Sequence, residues 1–274
     1  MTGTGVIDDP FLVSSYDEIK QALNDGQYVK LTCDIDCNDY GPSFKWNTIN
    51  MITEAKYLDL DGHTIKNIVI PQNNKMFYFG TPNTAGFEVY NGKLLNIFCE
   101  NASGVFDTKS LSTWHDLSVS VNSSSATAIL FSNINFERCA IDLETAKMTS
   151  NLMSGSATDC DLCFNVADMN GATLTNNATA TNCRIAGTIG GETLIVSNGH
   201  YLWSFSSSLS NCVVDFDTSN LTCDVNIVAN SVTNCVINLG DKYVGTNGYK
   251  ATTEQIRDPE YNNSVGFTVV EVTD

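Results

Sequence analysis

The chain has 274 residues, of which 31 are acidic and 14 are basic, so its formal net charge is −17. Such a negative surface repels phosphate groups, which excludes nucleic-acid binding through a basic patch. No apolar run approaches the roughly 20 residues of a membrane-spanning helix. We therefore expect an acidic, folded chain whose partners are neither nucleic acid nor membrane.

The first predicted element in chain order is a short helix. Ser15 and Glu18 have the spacing of a capping box, and Ile19, Ala22 and Leu23 give the helix one apolar stripe. We expect this helix to cover one open end of the structure that follows.

The central part of the chain, from about residue 94, repeats a short strand pattern about once every two dozen residues. Apolar residues alternate with polar ones in each repeat, which is the period of a strand with one buried face. A polar residue suited to a tight bend precedes four of the strands. Five strands open with a cysteine: Cys139, Cys160, Cys183, Cys212 and Cys235. The preceding bend residues are Asp159, Asn182, Asn211 and Asn234.

A long fixed period made of short strands predicts stacked coils. The predicted fold class is all-β, a right-handed parallel β-helix solenoid with a short capping helix near each end. We expect a single domain over residues 1–274, with an N-terminal cap and first coil at 1–40, coils at 41–240 and a C-terminal cap at 241–274. A β-sandwich is the alternative, but the Asn-Gly pairs lack regular strand pairs around them.

The ten cysteines predict a reduced, buried set of thiols. Nine of them are in phase with buried aliphatic residues, Cys163 being the exception, and this is typical of small buried hydrophobic residues. Cys160 and Cys163 form a single C-x-x-C motif, which is weak evidence for zinc because no second pair or His is nearby. Odd and even positions of a strand also point to opposite faces. No cofactor and no metal are predicted.

Both ends of the chain resemble the ends of β-helical surface and phage proteins of bacteria. At the N-terminal end the resemblance covers Gly3-Thr-Gly5, the segment 8–15 and the segment 28–36. The segment 57–65 resembles the first full coil of pectate-lyase-like β-helices, and 251–267 resembles their closing segment. Thr252 and Gln255 there repeat the capping-box spacing. The resemblance implies the fold and names no activity.

The sequence contains no intact catalytic motif of the polygalacturonase-like β-helices, so no catalytic residue is predicted. Carboxylates two residues apart on a strand share its outward face, where they bind calcium, hydrolyse sugars or, more often, are simply solvated. Tryptophan rings stack on sugars or pack in the core. The candidate glycan-site residues are Asp215, Asp217, Trp114 and His115. We interpret His63, His200, Trp46 and Trp203 as structural or turn residues.

The predicted function is that of a non-enzymatic bacteriophage virion protein: a capsid decoration protein, head fibre or tail component that acts by assembly and adhesion. The alternative is a tailspike-like polysaccharide depolymerase or glycan-binding β-helix, and a bacterial adhesin comes third. The N-terminus lacks the pattern of a signal peptide. We expect synthesis in the host cytoplasm, a place on the virion surface, other virion proteins as partners, a homotrimer and contact with host surface glycans.

Overall fold

The computed structural model describes residues 1–51, 55–79, 86–100, 104–108, 111–126, 130–175, 178–196, 199–202, 208–226, 231–244, 249–250 and 252–256. Within them the chain is mostly β. The strands of its first half are β1 (Phe11–Val13), β2 (Tyr28–Leu31), β3 (Ile35–Asp36), β4 (Ile49–Met51), β5 (Lys56–Asp59), β6 (Thr64–Ile70), β7 (Lys75–Phe79), β8 (Phe87–Cys99), β9 (Gly104–Thr108), β10 (Ser112–Ser123), β11 (Phe131–Glu137) and β12 (Ala140–Thr145).

The second half continues in the same way. Its strands are β13 (Met153–Thr158), β14 (Asp161–Val166), β15 (Thr179–Thr181), β16 (Arg184–Gly191), β17 (Leu194–Val196), β18 (Gly199–Tyr201), β19 (Ser208–Ser210), β20 (Val213–Leu221), β21 (Ser231–Thr233), β22 (Val236–Asn238) and β23 (Tyr249–Lys250). The described helices are α1 (Tyr16–Asp25), between β1 and β2, and α2 (Thr253–Ile256), after β23. Short 3-10 turns lie at Cys37–Tyr40 and Gly240–Lys242.

All strands except β17 and β18 join one sheet through parallel pairs. The pairs form three columns. One runs from β1 through β2, β5, β8, β10, β11, β13, β15 and β19 to β21, and the second from β3 through β6, β8, β10, β12, β14, β16, β20 and β22 to β23. The third contains β4, β7, β9 and the first residue of β11. Because β8 and β10 belong to two columns, the sheet curls around in a solenoid-like form. Parallel pairing in stacked columns excludes the β-sandwich alternative.

The interior is one continuous apolar cluster that follows the stack. Inward positions repeat at the same register in successive turns, so each inward side chain packs on its equivalent above and below. An aromatic group occupies the middle of this core. Its members are Trp46, Phe77, Phe87, Phe106, Trp114, Phe131 and Phe136, with ring centroids 4.9–6.4 Å apart.

The corner between the first and second columns has left-handed backbone in every turn from β5 onward that the structure describes. Asn and Asp adopt this conformation more readily than most residues, which is why they recur there. The predicted bends are therefore confirmed. The corner residues are Asp61, Asn91, Asp116, Arg138, Asp159, Asn182, Asn211 and Asn234, with φ between 49° and 62°.

The side chains at these corners bond to one another along the stack. Asn182 Nδ2 donates to Asp159 Oδ1 at 3.0 Å, and Asn211 Nδ2 donates to Asn182 Oδ1 at 3.2 Å. Asn234 Nδ2 continues the series to Asn211 Oδ1 at 3.3 Å. We call the four residues Asp159, Asn182, Asn211 and Asn234 the corner ladder.

Helix α1 buries Tyr16, Ile19, Ala22 and Leu23, which confirms the predicted apolar stripe. Its N-cap, Ser15, accepts the N–H of residue 18 through Oγ at 3.3 Å. The Glu18 carboxylate binds Ser14 N, at 2.8 Å, and the N-terminal amine. The reciprocal half of the expected capping box is thus displaced by one residue.

Helix α2 begins with the full capping box. Thr252 N donates to Gln255 Oε1 at 2.8 Å, and Gln255 N donates to Thr252 Oγ1 at 3.3 Å. The rest of the predicted closing segment, 257–267, lies outside the described residues.

Seven of the ten cysteines are buried, and none is in a disulfide. The five repeat cysteines donate S–H groups to the carbonyl two residues earlier, as Cys160 does to Thr158 at 3.1 Å. Two expectations need correction, because Cys33 is exposed and Cys223 is half-buried. Cys33 lies between β2 and β3, where the strand alternation that predicted an inward position does not hold.

Candidate functional site

A groove of about 680 Å³ lies on the outer face of β16, β20 and β22. The pleat puts Asp215 and Asp217 of β20 on this same face, as their spacing predicts. Arg184 enters from β16, Asn238 from β22, and Asp241 and Lys242 from the following 3-10 turn. The structure therefore places both predicted aspartates in a recessed, charged surface, which we call the β20 groove.

Asp215 bonds to the next turn of the stack, whereas Asp217 bonds within its own strand. Asn238 Nδ2 donates to Asp215 Oδ1 at 2.7 Å, which joins β22 to β20. The backbone N–H of Ser219 donates to Asp217 Oδ1 at 2.9 Å, and this hydrogen bond lowers the pKa of Asp217. Asp217 therefore carries a negative charge at neutral pH.

Small residues make the floor of the β20 groove. Ala186 and Gly187 on β16 pair with Asp215 and Phe216 on β20. Gly187 has a φ of 134°, and a Cβ there would overlap the carbonyl of Phe164 in the adjacent strand. The close approach of the two backbones thus requires glycine at this position.

An ion pair lies beside the groove, between β16 and β14. Arg184 Nη1 donates to both oxygens of Asp161 on β14, at 3.0 and 3.3 Å. Asp161 also lines a second depression of about 300 Å³ together with Asp142 and Cys163. Sequence reasoning missed this cross-strand pair, although each residue directly follows a repeat cysteine, so aligning the repeats places them side by side.

His115 lies in a separate ionic network on β10. Its Nε2 is 2.8 Å from Glu88 Oε1, and its Nδ1 is 2.7 Å from Asp116 Oδ2. Asp116 also accepts two hydrogen bonds from Arg138, at 2.7 and 2.8 Å. The His115 ring stacks on Tyr90 with centroids 4.9 Å apart.

The network sets the ionisation of its members. Burial lowers the pKa of His115, but the hydrogen bonds that the ring donates to Asp116 and Glu88 favour its charged form and raise the pKa overall. The Arg138 guanidinium and His115 hold the pKa of Asp116 well below its usual range. These groups therefore form an ion-paired cluster that fastens β8, β10 and the corner after β11 together.

Trp114 is fully buried among core aromatic rings, which removes it from the candidate glycan surface. Its inward position follows from the strand phase, since its neighbour His115 points outward. Trp46 is also buried, as expected, and donates its ring N–H to the Met76 carbonyl at 3.0 Å. His63 lies beside Asp34 at 3.3 Å on the surface. Trp203 and the His200 side chain lie outside the described residues.

The predicted site residues do not come together. His115 lies on the part of β10 that pairs in the first column, whereas the two aspartates lie on β20 in the second column. The strands β10 and β20 are four strand steps apart. At about 4.8 Å per step, this separates them by about 19 Å along the stack. In the described part of the chain, no group of three or more His, Cys, Asp or Glu residues is arranged to hold a metal ion. No helix described there is long and apolar enough to span a membrane.

Neither the protein-family models nor the curated proteins contain a match to this chain. Among solved structures, the chain is similar to one described as "a putative immunoglobulin A1 protease from Bacteroides ovatus". The sequences are 12% identical, the alignment covers 96% of this chain and 89% of the other, and the TM-score is 0.51. At this identity the likeness shows a shared fold and says nothing about activity.

Proposed function

We propose that this chain is a non-enzymatic structural module of a bacteriophage virion surface, built as a right-handed parallel β-helix with α1 and α2 near its ends. It acts as a capsid decoration protein, head fibre or tail component, through shape, assembly and adhesion. Its partners are other virion proteins and further copies of itself, and it is made in the host cytoplasm.

The observation that carries this proposal is the use of polar side chains to bond one turn of the stack to the next. The corner ladder, the Arg184–Asp161 pair and the Asn238–Asp215 bond all join adjacent turns. These bonds add to the backbone pairing of the parallel columns, so the charged and amide groups help to maintain a stiff, regular body. A stiff acidic rod is suited to a structural place on a particle.

Assays for polysaccharide cleavage test the non-enzymatic part of the proposal. Purified protein incubated with polygalacturonate, bacterial capsule and peptidoglycan should release no reducing sugar or unsaturated uronate above the blank. Product that increases with protein concentration, and disappears in the double variant Asp215→Asn and Asp217→Asn, would contradict it.

One observation favours a second function, that of a depolymerase or glycan-binding module. The β20 groove contains carboxylates and a guanidinium over a floor of small residues, a surface suited to hydrogen bonding with sugar hydroxyls. A glycan array distinguishes this function from a purely structural one. Binding that is lost in the same double variant, without cleavage, would assign glycan adhesion to the groove.

A further inference from the structure

Another cavity, of about 410 Å³, lies between the N-terminal segment and the outer face of β2, β5 and β8. It is separate from the β20 groove, and the structural role proposed above does not use it. Ile7 and Pro10 form its apolar wall. Its aromatic and charged lining consists of Tyr28, Tyr57, Tyr90, Lys30, Asp59 and Glu88, and we call it the tyrosine cavity.

The register of the strands places aromatic rings next to carboxylates in this cavity. In one row Tyr28 pairs with Tyr57, which pairs with Glu88. In the adjacent row Lys30 pairs with Asp59, which pairs with Tyr90. Glu88 therefore lies beside Tyr57 of the neighbouring strand and two residues from Tyr90 on its own strand. Asp59 lies beside Tyr90 of the neighbouring strand and two residues from Tyr57 on its own.

The aromatic rings are oriented by stacking. The rings of Tyr28 and Tyr57 are stacked, with an angle of 3° between their planes and 4.4 Å between their centroids. The Tyr57 face opposite Tyr28 is therefore directed toward the strand that carries Glu88. The ring of Tyr90 is stacked on His115 in the same way, with centroids 4.9 Å apart and an angle of 7° between the ring planes. The rings are fixed before any ligand arrives, which reduces the entropy lost on binding.

The charges around the cavity favour a cation. The Lys30 amine binds Asp61 at 2.9 Å, so a carboxylate at the rim compensates its charge. His115 Nε2 holds Glu88 through Oε1 at 2.8 Å and thereby orients the carboxylate. Burial, together with the negative charges of Asp59 and Glu88, raises the pKa of Tyr90 to about 12. The same negative charges disfavour anionic ligands.

We propose that the tyrosine cavity binds a small organic cation, with a quaternary ammonium group as its preferred head. Such a group is attracted to the electron-rich faces of tyrosine rings and to nearby carboxylates. It has no N–H to donate, so it does not depend on the hydrogen-bond acceptors that a primary amine requires. A cavity of this volume accommodates a head of choline size.

Calorimetric titration of the full chain at about pH 8 and low salt tests the proposal, with choline as the probe. The comparison ligand is the neutral analogue of choline in which a tert-butyl group replaces trimethylammonium. The two have nearly the same shape, so the difference in affinity isolates the charge. We expect choline to bind about tenfold more tightly than its neutral analogue.

Two variants locate the binding. Tyr57→Leu removes a ring and Glu88→Gln removes a charge, and each should weaken choline binding about fivefold or more. Tyr78→Leu and Asp107→Asn are the matched controls, because these residues pair on β7 and β9 in the third column. Both controls should bind choline as the parent chain does. Circular dichroism of each variant checks that it is folded.

Three outcomes would overturn the proposal. Equal affinity for choline and its neutral analogue would show that charge plays no part. Unchanged choline affinity in folded Glu88→Gln and Tyr57→Leu would place binding elsewhere. Tighter binding of a neutral hexose, competing with choline and lost in the same variants, would make the cavity a sugar site. None of these results bears on the assays for polysaccharide cleavage, so the two proposals fail separately.

Discussion

At the scale of single residues, His115 couples the stability of the fold to pH. Its pKa in the folded chain is raised above the ordinary value of 6.5. A raised folded pKa means that the charged ring stabilises the folded state fully below the unfolded pKa, and that this stabilisation is lost as pH rises through the folded pKa. The stabilisation by His115 should therefore be greatest in mildly acidic solution.

The variant His115→Gln measures this contribution. We expect its Tm to fall below that of the parent chain by more at about pH 5 than at about pH 8.5. In an Asp116→Asn background, which removes one charged partner, the pH-dependent part of the difference should shrink. A larger deficit in alkaline than in acidic solution would contradict the direction of the pKa shift.

Because of burial, two positions on neighbouring strands should differ sharply in how well they tolerate substitution. Ile185 is fully buried, whereas Asp217 faces solvent on the next strand of the same column. Ile185→Asp places a charge without a partner in the core, and we expect a loss of about 3 kcal/mol or more in the free energy of unfolding. Asp217→Asn keeps the oxygen that accepts the Ser219 N–H, so its cost should be below about 1 kcal/mol. Urea unfolding of both variants checks the strand phase, and equal midpoints would refute it.

At the scale of an element, the corner ladder combines two contributions that mutations can separate. Asn211 has a φ of 53° and bonds to Asn182 and Asn234. Asn211→Gly removes the amide but keeps the backbone unstrained, and we expect a loss of about 1 kcal/mol. Asn211→Ala adds the strain of left-handed backbone, about 1–2 kcal/mol more.

The control for the ladder variants is Asn50→Ala, at an exposed strand position of β4 without positive φ. Its effect on the free energy of unfolding should stay within about 0.5 kcal/mol. If Asn211→Gly and Asn211→Ala were equally destabilised, backbone conformation would not be the reason for asparagine at this corner.

At the scale of the whole molecule, the reactivity of the cysteine thiols shows whether the core is packed along the whole stack. In denaturant without reductant, a thiol reagent should detect close to all ten cysteines. In the native protein we expect fast reaction at exposed Cys33, slower reaction at half-buried Cys163 and Cys223, and protection of the other seven. Burial raises the pKa of Cys37 and Cys99 to about 12, which further suppresses their reactivity. Thiols missing after full denaturation would indicate disulfides.

Oligomeric state is the second property of the whole molecule that can be measured. The proposed homotrimer should give about three times the chain mass of 29.8 kDa in light scattering coupled to size-exclusion chromatography. A mass equal to one chain at micromolar concentration would contradict the trimer. That result would leave the non-enzymatic part of the proposal standing, because the cleavage assays test it independently of oligomeric state.

Much of the fold follows from the sequence because strand alternation and turn chemistry are local. The cysteine repeat predicted the inward phase of β12, β14, β16, β20 and β22. Asp159, Asn182, Asn211 and Asn234 predicted the bends before the last four of these strands. The capping boxes predicted both helix starts. The expectation that the Asn-Gly pairs lack strand pairs is wrong at Gly199, because β17 and β18 pair antiparallel with Val196 opposite Gly199. Cys33 was misplaced because its segment leaves strand geometry.

The candidate sites depend on contacts between turns, which the sequence indicates only when the repeats are aligned. By itself the sequence determined that Asp215 and Asp217 share an outward face, because side chains alternate along any strand. Only the tertiary structure decided that Glu88 and Arg138 meet at the His115–Asp116 pair and that tyrosines and carboxylates line one cavity. The physical reason is register: parallel pairing across 22 to 31 residues brings together side chains that no local pattern relates.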